Sequence, residues 1–144
     1  MIANEFQHNL TKAQAARFEQ ALAQLDTQPD KTETTIHPLL RTAERDAVKS
    51  QLESLKSEIS EYEALRTGKQ RSFSTESFEE LPQTLIKARI ASGLTQKQLA
   101  ERLGLKEQQV QRYEATGYAS ASLKRINQVI RALGLKVREE VALR

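Results

Sequence analysis

The feature that most constrains this chain lies in its C-terminal half, where two short helices must cross through a tight turn. Thr95 is placed to cap a helix over residues 96–103, on which Leu99 and Leu103 share one face with Ala100 beside them. Gly104 stops that helix, because a left-handed residue closes a last turn without a side-chain clash. A second helix follows over residues 107–116, with Val110 and Tyr113 facing inward three positions apart. A steep crossing needs a small side chain where the helices meet and a residue tolerant of positive φ in the turn. Ala100 and Gly104 are those residues, and Leu99, Leu103, Leu105, Val110 and Tyr113 supply the apolar set. About seven constraints at fixed spacing are met at once, which few folds other than a helix-turn-helix ask of a sequence.

The flanks extend this helical reading. Residues 85–92 suit a helix closed by Gly93. Residues 122–133 suit another, with Leu123, Ile126, Val129, Ile130 and Leu133 closing the core and Gly134 ending it. In the tail, Leu135, Val137, Val141 and Leu143 alternate with Lys136, Arg138, Glu140 and Arg144, which is strand periodicity. A short C-terminal β-strand of this kind would dimerise by pairing with its copy, setting two recognition helices about 34 Å apart. A frayed helical tail is the alternative.

The N-terminal half has a different pattern. The segment Thr11-Lys12-Ala13-Gln14 reads as a capping box that opens a helix with Phe18, Ala21, Leu22 and Leu25 on one face. Residues 26–38 are rich in Thr, Asp and Pro and read as a loop. From Pro38 to about Arg66 no internal Gly or Pro interrupts a long helix, and Val48, Leu52, Leu55, Ile59 and Tyr62 step along it as the seam of a coiled coil or antiparallel hairpin. Two heptads do not persist alone, so this helix needs the first helix, a second copy or another protein against it. Residues 67–77 are polar and rich in Ser and Thr, with Gly68 as a helix stop. The expected organisation is therefore all-α: residues 1–66 a helical dimerisation or partner-binding region, 67–77 a linker and 78–144 the helix-turn-helix domain. A single continuous helical domain with a surface loop at 67–77 is the alternative.

Composition agrees. A hydrophobic fraction of 38%, four Phe, three Tyr and no Trp give a core of Leu, Ile, Val and Ala. The absence of Cys removes disulfides, thiolate catalysis and most structural zinc sites. No apolar run approaches the roughly 18 residues of a membrane span, and residues 1–10 lack the apolar stretch of a signal peptide, so a cytoplasmic protein with no membrane partner is expected. From residue 77 onward the chain has 12 Lys/Arg against 7 Asp/Glu, whereas residues 1–76 have 10 against 12. A basic half joined to a mildly acidic one suits nucleic acid at one end and protein at the other. His8 and His37 are isolated, and the pairs Glu79-Glu80 and Glu139-Glu140 have no metal partner, so no catalytic site, metal or cofactor is expected.

The run Leu94-Thr95-Gln96-Lys97-Gln98-Leu99-Ala100-Glu101-Arg102-Leu103-Gly104, continued by Val110, Glu114 and Gly117, resembles the Xre/Cro family of phage-repressor-like DNA-binding domains over residues 81–135. The resemblance implies a lambda-repressor-like bundle of four to five helices that reads DNA in the major groove. It implies an ion pair between Arg89 and Glu114, which fixes the angle of the recognition helix. It points to Gln108 and Arg112, then Glu107 and Gln111, as base-reading residues. Gln can bond adenine, Arg guanine, and Glu can accept from cytosine. Gln96 resembles the family's phosphate-contacting Gln, with Thr95, Lys106 and Lys124 as lesser phosphate contacts and Arg125 beside Lys124. The expected function is that of a homodimeric repressor on an inverted repeat of double-stranded operator DNA. The two-part layout resembles HigA-type antitoxins, which silence their own operon and hold a toxin through a segment outside the DNA domain. A stand-alone phage or stress regulator, a multiprotein-bridging adaptor that docks proteins, and a structural helical module with a vestigial domain are the other readings.

Overall fold

The computed structural model describes residues 1–27 and 38–144, and the expected loop over 26–38, with His37, falls almost wholly outside them. The described chain divides into two compact units, Met1–Glu63 and Ala64–Arg144. Six α-helices and no strand are formed among the described residues: α1 (Glu5–Thr27), α2 (Pro38–Arg66), α3 (Leu81–Ala91), α4 (Gln96–Leu103), α5 (Glu107–Ala115) and α6 (Leu123–Ala132).

In the first unit, α1 begins six residues before the expected cap at Thr11. The cap is Asn4, whose side chain accepts from the Gln7 N–H at 2.8 Å, while the Gln7 side chain accepts from the Ala3 N–H at 2.8 Å. Thr11 instead lies inside the helix and turns its hydroxyl back to the Gln7 carbonyl, a bond open to any mid-helix Thr. The contacts Asp26–Arg45 at 3.0 Å, Glu19–Lys56 at 2.9 Å and His8–Glu63 at 2.9 Å come in opposite chain order, so α1 and the part of α2 in this unit run antiparallel. Along the α2 seam Leu52 and Tyr62 are buried, while Val48, Leu55 and Ile59 are half-buried. His8, isolated in sequence, is buried against Tyr62 with ring centroids 5.0 Å apart.

In the second unit a 3-10 turn, Phe78–Glu80, leads into α3, with Pro82 in its first turn where the missing N–H is harmless. That helix starts four residues earlier than residue 85. The helix α4 has the expected bounds. Thr95 accepts from the Gln98 N–H at 3.1 Å, and Gln98 accepts in return from the Thr95 N–H at 2.9 Å, a reciprocal box. Gly104 closes it at φ 67°, with the Leu105 N–H on the Ala100 carbonyl at 2.8 Å, and a Cβ there would meet nothing within 4 Å. Glycine is thus required at 104 by backbone conformation and not by space. The core is built from Leu85, Leu99, Val110 and Val129, with Ala100 buried at the helix crossing.

Two further expectations change. Leu123, placed in the core by periodicity, is 62% exposed. It is the first residue of α6, behind the Ser122 cap, whose oxygen accepts from the Arg125 N–H at 3.1 Å. Its side chain therefore projects past the end of the packed face. Residues 135–144 form neither strand nor helix, and Val141 and Leu143 are almost fully exposed. A lone edge segment has no backbone partner within one chain, so alternation alone does not make it a strand.

Candidate nucleic-acid interface

The helix α5 is positioned by a buried polar network. Arg89, from α3, sends Nε to both Glu114 oxygens at 2.8 and 3.0 Å and Nη2 to Oε1 at 2.6 Å, while its Nη1 donates to the Leu94 carbonyl at 2.7 Å. Both side chains are almost fully buried, at 3% and 1% exposure. One guanidinium thereby ties α3, the turn before α4 and the last turn of α5 together. Burial pushes the Glu114 carboxyl above its ordinary value, and the charge and hydrogen bonds of Arg89, then the Gln96 amide, oppose that shift.

Gln96 departs from expectation. It is only 4% exposed and its Nε2 lies 3.5 Å from Glu114 Oε2, so its amide joins the inner network. A buried carboxylate has more acceptor sites than one guanidinium fills, and the neighbouring amide turns inward to meet it. Sequence periodicity gives a Gln no inward preference, which is why this role is not visible before the fold.

Tyr118 is the residue that sequence reasoning missed. After Gly117 at φ 60° it repeats the left-handed conformation at φ 57°, which costs a non-glycine residue about 1 kcal/mol or more. Its N–H donates to the Tyr113 carbonyl at 2.7 Å, and its buried ring stacks on that of Tyr113 at 5.7 Å and 3°. Burial, then the Glu114 charge, raise its phenol pKa, and Arg89 opposes them. The one available signal is its place directly after a helix-closing Gly.

With Val110 and Glu114 buried and Tyr113 half-buried, the outer side of α5 carries Glu107, Gln108, Gln111 and Arg112, all exposed. Gln111 Nε2 lies 3.5 Å from Glu107 Oε1, so the carboxylate orients a neighbour one turn away. Lys106 is exposed just before the helix, where its N–H donates to the Gln109 side chain at 3.0 Å. Thr95 and Lys124 are exposed at the N-terminal turns of α4 and α6. Arg125 is held by Gln128 at 2.9 Å, and Arg102 donates to the Ala132 carbonyl at 2.8 Å, closing the last turn of α6 from α4. No group of three or more His, Asp or Glu residues suited to a metal occurs among the described residues. No helix among them is long and apolar enough to cross a membrane.

Residues 85–139 match the helix-turn-helix family, a match to less than half of the 144 residues. This part of the chain is a helix-turn-helix domain of the Xre/lambda-repressor-like kind, the type found in DNA-binding transcription regulators. Comparison of the chain with curated proteins and with solved structures returns no match.

Proposed function

We propose that the chain is a sequence-specific repressor that inserts the outer side of α5 into the major groove of its operator. The observation that carries this reading is the division of α5: Val110 and Glu114 are buried, and Glu107, Gln108, Gln111 and Arg112 are exposed together. That exposed set has the donors and acceptors of base readout, and it lacks the aromatic or aliphatic anchors of a protein-docking face. Gln108 and Arg112 read bases, Glu107 and Gln111 assist them, and Thr95, Lys106 and Lys124 contact phosphate. Residues 78–144 act on DNA as one half of a homodimer on an inverted repeat, the tail over 135–144 pairing with its copy. Residues 1–66 hold a protein partner, joined through 67–77. Phe6 and Leu10, exposed one turn apart on α1, are apolar side chains that such a partner would cover. A toxin of an operon that the chain itself represses is the partner we propose.

The test is binding of the full chain to duplex DNA from its own promoter against a scrambled duplex, with Gln108→Ala and Arg112→Ala alongside. Protection of an inverted repeat, with each substitution costing about 1–3 kcal/mol and relaxing base preference, is the expected result. Equal binding to both duplexes that vanishes with modest salt would instead support an adaptor that docks proteins.

A further inference from the structure

The segment between α2 and α3 is held against the second unit and is not a loose tether. Gly68, at φ 69°, comes so close to α3 that a Cβ on it would lie 3.4 Å from the Ala91 carbonyl. Downstream, Phe73 and Thr75 are half-buried while Ser72 and Ser74 between and before them are exposed, the alternation of an extended segment laid on a surface. The Glu76 N–H is then tied to the Glu80 carboxylate at 3.1 Å. Between these anchors stand Lys69 and Arg71, both exposed and neither in an ion pair among the described residues. Their anchor, Gly68, touches the residue that ends α3, four positions before Thr95.

We propose that Lys69 and Arg71 form a second phosphate-contacting element, which meets the DNA backbone beside the N-terminus of α4. The inference rests on the DNA-binding reading above and adds to it a site outside the helix-turn-helix match. Duplex DNA carries about one negative charge per 1.7 Å of axis, so a backbone that meets Thr95 continues past it toward any cation fixed nearby. A cation on a packed segment loses less freedom on contact than one on a flexible arm, so it adds more to binding per charge. The contacts are to phosphate and carry no sequence information.

The experiment compares the full chain with its Lys69→Ala/Arg71→Ala variant on the promoter duplex and on a scrambled duplex, across a salt series, with thermal unfolding of both proteins. The expected result is weaker binding on both duplexes by a similar factor, and a salt dependence shallower by about 0.9 for each lost phosphate contact, with unfolding unchanged. An unchanged salt slope, when the unaltered chain binds and Arg112→Ala weakens it, overturns this inference and leaves the DNA-binding reading standing. A lower unfolding temperature with the same slope also overturns it, and assigns the two cations to the C-terminus of α3, where positive charge is favourable. Failure of the unaltered chain to bind either duplex overturns both.

Discussion

The two units solve the same problem, burying polar side chains beside apolar ones, in opposite ways. In Ala64–Arg144 the polar contacts are deep: Arg89, Gln96 and Glu114 are buried in one network that joins α3, α4 and α5. In Met1–Glu63 they lie nearer the surface: the Glu19–Lys56 and Asp26–Arg45 pairs have side chains between 41% and 57% exposed, and the buried His8 bonds a Glu63 that is itself half exposed. A buried pair adds little net stability but makes misplaced packing costly, so it specifies one geometry. A solvated pair is screened and specifies little. The unit that carries the helix-turn-helix is thus the one whose helix angles are over-determined by buried polar contacts.

The sharpest way to break this contrast is to remove one member of the buried pair. Arg89→Met is expected to cost about 3–5 kcal/mol, and Arg89→Met/Glu114→Leu to recover most of it, measured by urea unfolding. The pH dependence follows from the Glu114 shift. Its folded pKa is raised above the unfolded value, near 4.5, so its contribution to stability is full below that value and is lost as pH rises through the folded one. Without Arg89 to oppose the shift, the deficit of Arg89→Met should shrink on acidification toward 4.5 and grow toward neutrality. A deficit independent of pH would show that Glu114 is hydrated in the variant.

Packing gives a smaller contrast. Leu99→Ala, at a site 1% exposed, is expected to cost about 2–5 kcal/mol, whereas Leu55→Ala on the half-buried α2 seam should cost about half as much. Equal losses in a denaturant titration would mean that the hairpin is as tightly filled as the second core. The smallest effect belongs to the surface pairs: Lys56→Ala should change stability by less than about 1 kcal/mol, and less again in high salt. A larger loss would move the first unit into the specified class.

Legibility from sequence follows the same division. The bounds of α4 are readable because a Thr cap with Gln three residues on, and a Gly in the left-handed region, are local signals with no competitor. The start of α1 is misread because Asn4-Glu5-Phe6-Gln7 and Thr11-Lys12-Ala13-Gln14 share the spacing of a cap, and a Thr hydroxyl is equally satisfied inside a helix by the carbonyl four residues back. Leu123 satisfies the periodicity of α6 and yet lies outside its packed face, since a period assigns direction around a helix but not position along its neighbour. For Arg89 and Glu114 it was the resemblance to a known family, and no spacing rule, that pointed to a pair.

By itself the sequence determined the all-helical class, the helix-turn-helix spacing, most helix ends and the outward stripe of α5, because caps, stops and a 3.6-residue period act within a few residues of one another. Tertiary structure alone decided which polar groups go inside. Gln96 turns to Glu114 and His8 to Glu63. A polar side chain is buried only when a partner replaces its water, and these partners lie 18 and 55 positions away in the chain.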